Sequence, residues 1–144
     1  MLRSILAVVV GYVVMTCFVF ATFSITFLIM GTEGAFRPAS FEPSTAWIIA
    51  SFILGFIGAL VGGYVCATIA RGSRAPLILA GLAFVLGVLI AISIINTPHE
   101  ARIRTGDVGN FEAMQNARQP TWVAILNPFI GAAGILAGAK ARRS

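Results

Sequence analysis

The chain has 144 residues, of which 58% are apolar and only 10% are charged, and its formal net charge is +5. An average soluble domain is about half apolar and roughly a quarter charged, and a small domain has too much surface for its volume to hide this much hydrocarbon from water. The composition therefore predicts a single membrane domain whose main partner is the lipid bilayer. The scattered basic residues lack the stripe that nucleic-acid binding requires, so a nucleic-acid partner is not expected.

Four apolar runs follow one another along the chain. A helix needs about 20 apolar residues to cross a hydrocarbon core of ~30 Å. The runs cover residues 5–30, 47–70, 75–95 and 122–139. They predict an all-α membrane protein built as a four-transmembrane-helix bundle, with two longer loops at residues 31–46 and 96–121. Within the second loop we expect a short helix that is capped by Asp107 or Asn110 and continues through Arg118.

The distribution of charge predicts the orientation of this bundle. The N-terminus, the short loop after the second run and the C-terminus together hold six basic residues and no acid, whereas the two longer loops hold four arginines and all five acids. Since cytoplasmic segments carry an excess of Lys and Arg, both termini are expected in the cytoplasm of a bacterial cell. Trp47 and Trp122 would anchor the outer interface, and Tyr12 and Tyr64 the inner one.

Small residues recur every three or four positions along three of the runs. They are Ser51, Gly55, Gly58 and Gly62 in the second run, Ala83 and Gly87 in the third, and Gly131, Gly134 and Gly138 in the fourth. Helices pack closely in lipid where small residues share a face, and Gly58 with Gly62 forms a GxxxG pair. Two interpretations stay open: packing within the bundle, or a face that drives homo-oligomers or binds another membrane protein. The second and fourth runs also share Phe-Ile-Gly-Ala, at 56–59 and 129–132, which a parallel internal repeat would explain.

Asn127 and Pro128 interrupt the fourth run. Proline removes one backbone hydrogen bond and bends the helix. Asn127 belongs to the small-residue face, so its amide is expected to point into the bundle and to hydrogen-bond another helix. The alternative is a gate or ligand contact, because discontinuous helices line the binding sites of transporters.

Catalytic, cofactor and metal motifs are missing from the sequence. Cys17 and Cys66 fall at different depths of their runs, and His99 is the only histidine, with carboxylates at no standard ligand spacing. Coupled transport normally requires an acidic or lysine residue within the membrane, and the four runs contain none. The chain is similar in helix count to the small multidrug transporters, but its first run lacks their glutamate, so the resemblance implies no activity.

These observations favour a small, non-enzymatic protein that serves as a structural or accessory component of a membrane complex. The alternative function is a small uncoupled transporter or channel with a path near Asn127.

Overall fold

The computed structural model describes residues 1–72, 74–98 and 102–144. Within these ranges the chain forms five α-helices and no strand. The helices are α1 (Leu2–Ala35), α2 (Thr45–Ala70), α3 (Ala75–Asn96), α4 (Asn110–Asn116) and α5 (Thr121–Arg143). All but α4 are long and apolar enough to cross a membrane. The prediction of an all-helical fold with four candidate membrane spans is therefore confirmed, and it is compatible with a multi-pass membrane protein.

The helix ends differ from the ends of the apolar runs, because backbone hydrogen bonding continues beyond the last apolar residue. The helix α1 runs on to Ala35, and Gly31 interrupts it with φ 69° and ψ 174°, a conformation that a residue without a Cβ adopts at little cost. Ser44 caps α2 by accepting a hydrogen bond from the Trp47 amide at 3.1 Å. The short helix of the second loop begins after Gly109 and ends at Asn116, two residues before its predicted end.

The four long helices alternate in direction, so the bundle has two distinct ends. The terminal end carries both chain termini and the connection between α2 and α3, and the loop end carries residues 36–44 and 102–120. The helix α2 packs along both α1 and α5, and α5 packs along α3, whereas α1 makes smaller contacts with α3. Among the described residues α1 and α5 do not touch. The helices α2 and α5 run parallel to each other.

Glycines let α2 approach α5 backbone to backbone in the terminal half. A Cβ added to Gly63 would overlap the Ile135 carbonyl, and one added to Gly138 would overlap the Leu60 carbonyl. Because neither position tolerates even a methyl group without movement, the two helix axes are held at their closest separation here.

The opposite face of α2 lies against α1, also through glycines. A Cβ on Gly58 would lie 2.6 Å from Val19 Cγ2, and one on Gly62 would lie 2.7 Å from Met15 Cβ. The helix α2 is thus sandwiched between two neighbours.

Large apolar side chains fill the remaining space of the terminal half. Leu79, Ile135 and Cys66 are each fully buried in one cluster that joins α2, α3 and α5. From α1, a Cβ on Gly11 would come within 2.8 Å of Cys66 Cβ and 3.0 Å of Leu79 Cδ2. This half of the bundle is therefore closely packed by all four long helices.

Replacing Gly63 by alanine is expected to lower the free energy of unfolding by about 1–3 kcal/mol, because the methyl group must push α2 away from the Ile135 carbonyl. Unfolding would be measured by SDS titration of the protein in dodecyl maltoside micelles, followed by tryptophan fluorescence.

Gly55→Ala is the matched control, since Gly55 lies in the same helix and a Cβ there meets no atom within 4 Å. Its unfolding free energy should stay within about 0.5 kcal/mol of the wild-type value. Equal destabilisation by both variants would contradict the close α2–α5 approach.

Candidate functional site

A cavity of about 950 Å³ lies between the helices in the loop half. Ligand sites in proteins commonly occupy about 300–1,000 Å³ and are mostly apolar. All four long helices and α4 contribute to the lining, which is largely apolar and contains six aromatic side chains: Phe20, Phe23, Phe27, Phe36, Trp47 and Phe52. The cavity is therefore large enough, and apolar enough, to hold a hydrocarbon chain.

Aromatic contacts hold the helices around the cavity. Phe27 and Phe23 of α1 meet Trp47 of α2 edge to face, with centroid distances of 6.2 and 5.9 Å. Phe52 of α2 lies 6.0 Å from Trp122 of α5. Such pairs stabilise packing beyond the area they bury. Bulky rings thus form the contacts of α2 with α1 and α5 in this half, where glycines form them in the terminal half.

The helices α1 and α3 border the cavity on one side, and this side is open. These two helices touch near the terminal end, where Leu79 approaches Gly11. Closer to the loop end, Phe20 of α1 and Ile90 of α3 both line the cavity and yet are 57% and 60% exposed. The cavity therefore opens sideways, between two apolar helix faces.

Residues 102–119, which we call the roof, close the cavity at the loop end. Arg104 fastens the roof to the first loop: its side chain is 1% exposed and its Nη1 donates to Glu33 Oε1 at 2.9 Å. The same guanidinium donates to the carbonyls of Gly106 at 2.8 Å and Ser40 at 3.2 Å. A buried charge is tolerated where it is paired and its donors are satisfied, so Arg104 joins the two loops into one layer.

The roof is also fastened to α1. Asn110 Nδ2 donates to Ser24 Oγ at 3.0 Å, and the Val108 amide donates to Thr32 Oγ1 at 3.2 Å. Ala113 of α4 is buried in a cluster with Phe27 and other aromatic side chains. These contacts place α4 directly over the apolar lining.

Where the cavity meets the roof, its lining becomes polar and basic. Arg102 and Arg118 both line it. Arg102 Nη1 donates to Asn116 Oδ1 at 2.7 Å, and Arg118 Nη1 donates to the Pro98 carbonyl at 3.1 Å. Within the described ranges neither arginine forms a salt bridge, since the two salt bridges there belong to Arg37 and Arg104. One end of an apolar cavity thus carries two cations that no described carboxylate neutralises.

The small residues predicted from the sequence divide between contacts and cavity. Gly58 and Gly62 face α1, whereas Gly134 and Gly138 face α2. The others line the cavity: Ser51, Gly55, Ala83, Gly87 and Gly131. The sequence period did not single out Gly63, which lies one residue after Gly62 and on the other face of α2.

Asn127 and Pro128 both border the cavity. The Asn127 side chain makes no hydrogen bond to any residue in the described ranges, so the expected bond to another helix is not formed by them. Pro128 is buried and packs on α3, where a Cβ on Gly87 would lie 3.0 Å from its Cγ.

The four predicted interface anchors occupy different environments. Trp47 is half-buried between α1 and the cavity, Trp122 is 53% exposed, Tyr64 is 46% exposed, and Tyr12 packs against the core of the terminal half. His99 and Glu100 lie outside the described residues. In the part of the chain that the structure describes, no group of three or more potential metal ligands occurs.

Comparisons with known protein families, with curated proteins and with solved structures find no match to this chain. The fold itself defines a helical protein with four candidate membrane spans, and the cavity under the roof is its main candidate site.

Replacing Arg104 by methionine keeps the unbranched stem of the side chain and removes every side-chain donor. We expect the roof to lose about 2–3 kcal/mol of stability, because the Ser40 and Gly106 carbonyls lose a charged donor and Glu33 loses its partner. Amide hydrogen exchange across residues 102–119 should accelerate by roughly a hundredfold.

The control is Arg37→Gln, which removes the exposed pair with Glu42 at 3.4 Å. Exposed pairs contribute about 0–1 kcal/mol, so exchange in the roof should change little. A similar acceleration in both variants would show that burial of Arg104 does not hold the roof.

Proposed function

We propose that this chain is a multi-pass protein of the bacterial cytoplasmic membrane that binds an amphipathic lipid in the cavity of the loop half. The observation that carries the proposal is a cavity of about 950 Å³ with an apolar lining, a sideways opening between α1 and α3, and a basic end under the roof. The proposal assigns no catalytic step, in keeping with the expectation from the sequence.

The apolar part of the cavity supports a hydrocarbon ligand. A chain entering between Phe20 and Ile90 would pass from the bilayer to the aromatic lining without crossing water, so no polar group on its path would need to be desolvated. Asn127, which borders the cavity, has a side-chain amide that is unpaired within the described ranges and can hydrogen-bond to a ligand with polar atoms.

The basic part supports a headgroup. Arg102 and Arg118 lie where the cavity meets the roof, next to the amides of Asn110 and Gln119. Guanidinium groups form short, strong hydrogen bonds with anionic oxygens. A lipid with an anionic or strongly polar headgroup therefore matches both ends of the site.

Binding fits the geometry better than passage through the bundle. Asn127 borders the cavity, as the alternative of a path near this residue requires, but the cavity ends near the middle of the bundle, where Met15, Ala59 and Ala83 line it. Below it, Leu79, Cys66 and Ile135 are fully buried in close packing. A continuous path would have to displace this cluster.

The accessory role expected from the sequence stays a prediction. Exposed apolar residues cover the outer faces of the long helices, and such faces are common to lipid contact and to contact with another membrane protein, so they favour neither.

The lipid site is testable with phosphatidylglycerol that carries a diazirine in one acyl chain, photolysed with the full chain in nanodiscs. Asn127, which borders the cavity, should be labelled in addition to Phe129, which is 57% exposed on the outer face of the same helix. Gly131→Leu should reduce the label at Asn127 several-fold without changing that at Phe129, because a Cβ at Gly131 meets no atom within 4 Å and the larger side chain would fill the cavity.

Gly81→Leu is the matched control, since Gly81 is equally open to a Cβ and does not line the cavity. Its labelling pattern should equal that of the wild type. Label at Phe129 with none at Asn127 in the wild-type protein would show that no lipid chain enters the cavity. Purification of the chain from native membranes together with another membrane protein in stoichiometric amount would then favour the accessory role.

The proposed orientation has both termini in the cytoplasm, which puts inside the six basic residues of the two termini and of the connection between α2 and α3. A green fluorescent protein fused after Ser144 should therefore fluoresce, and alkaline phosphatase fused there should be inactive.

Fusions after Gln119, before the last span, provide the control and should behave in the opposite way. The reverse pattern at both positions would place the cavity in the cytoplasmic half of the bilayer and contradict the orientation.

A further inference from the structure

A second, smaller cavity of about 340 Å³ lies at the terminal end of the bundle. Among the described residues, six line it: Ala67, Arg71, Gly72, Pro76, Arg142 and Arg143. It shares no described lining residue with the cavity of the loop half, so its role does not depend on the proposed lipid site, and only its position at the inner face rests on the proposed orientation.

Tertiary packing brings its three arginines together. Arg71 directly follows α2 and has a left-handed backbone with φ 45°, while Arg142 and Arg143 belong to the last turn of α5. The close approach of α2 to α5 at Gly63 and Gly138 places these two helix ends side by side.

No acid balances this positive charge within the described ranges. Both salt bridges found there lie at the loop end of the bundle, and all five acidic residues of the chain belong to the two longer loops. The first turn of α3, which contributes Pro76 to the lining, adds the positive end of a helix dipole.

We propose that this cavity binds a phosphate group at the inner face of the membrane. Guanidinium groups present forks of donors that match the oxygens of phosphate, which a lysine ammonium does not, and all three basic side chains in the lining are arginines. The volume is at the lower end of that found for ligand sites, about 300–1,000 Å³, which suits a phosphate with a small substituent. The group is the headgroup phosphate of an anionic lipid or belongs to a soluble phosphate compound.

The orientation rule for basic residues does not account for this arrangement by itself. That rule requires only positive charge near the inner ends of the spans, and Arg74 and Lys140 satisfy it equally well. Neither of them lines the cavity. They therefore provide a control that removes the same charge from the same end.

The experiment compares the purified full chain with the double variants R142Q/R143Q and R74Q/K140Q in dodecyl maltoside. Binding of dioleoylphosphatidylglycerol is measured by native mass spectrometry, with and without inorganic phosphate as competitor. R142Q/R143Q should weaken the binding of one lipid about tenfold or more, because charge-assisted hydrogen bonds are lost, and should leave a lipid in the loop-half cavity unaffected. R74Q/K140Q should change the binding of either lipid by less than about twofold. Arg142 and Arg143 are exposed, so both variants should keep the wild-type thermal stability.

Competition by inorganic phosphate distinguishes the two sources. Lipid binding that depends on Arg142 and Arg143 but resists phosphate identifies a lipid headgroup, whereas displacement by phosphate identifies a soluble compound, and either result supports the proposal. If lipid binding were weakened equally in the two double variants, surface charge alone would explain the effect, and the proposal would be overturned. Unchanged binding in R142Q/R143Q would overturn it as well.

Discussion

The close approach of α2 and α5 in the terminal half is the constraint on which the rest of the structure depends. Gly63 and Gly138 bring a helix backbone against a carbonyl of the neighbouring helix, and no side chain fits between them. In the loop half, the neighbours of α2 meet it through rings: Phe52 of α2 contacts Trp122 of α5, and Trp47 of α2 contacts Phe23 and Phe27 of α1. Because glycines bring the helices together in one half and larger aromatic side chains lie between them in the other, the bundle is closed at the terminal end and contains a cavity at the other.

The roof closes the loop end of the cavity that lies between the separated helices. Without residues 102–119 the cavity would open at the loop end as well as between α1 and α3. Arg104 holds these residues to the first loop through contacts with partners more than sixty positions away in the chain. A buried cation thus stabilises the layer above an apolar cavity, and Arg102 and Arg118 add positive charge to the lining of that cavity.

The basic residues of this chain therefore divide into groups with different physical roles. Arg104 is buried and structural, whereas Arg102 and Arg118 line the cavity below the roof. At the opposite end, Arg71, Arg142 and Arg143 line a cavity of their own, and Arg74 and Lys140 lie outside that lining. Net charge and the orientation rule treat all of these residues alike, and only their surroundings separate them.

The sequence by itself determined the four spans, because apolar length alone decides whether a helix suits a bilayer, and it indicated the short helix of the second loop. It also located the small residues, but the same period contains Gly58 and Gly134, which touch other helices, and Gly55 and Gly131, which border the cavity. Which of these two environments a glycine meets depends on how neighbouring helices cross, and a period within one helix carries no information about that. Gly63 was missed because it packs on the second face of a helix for which the period marked one face. The roof held by Arg104, the cavity beneath it and the three-arginine cavity at the terminal end were decided by the tertiary structure alone, since each joins residues from distant parts of the chain whose proximity no local pattern encodes.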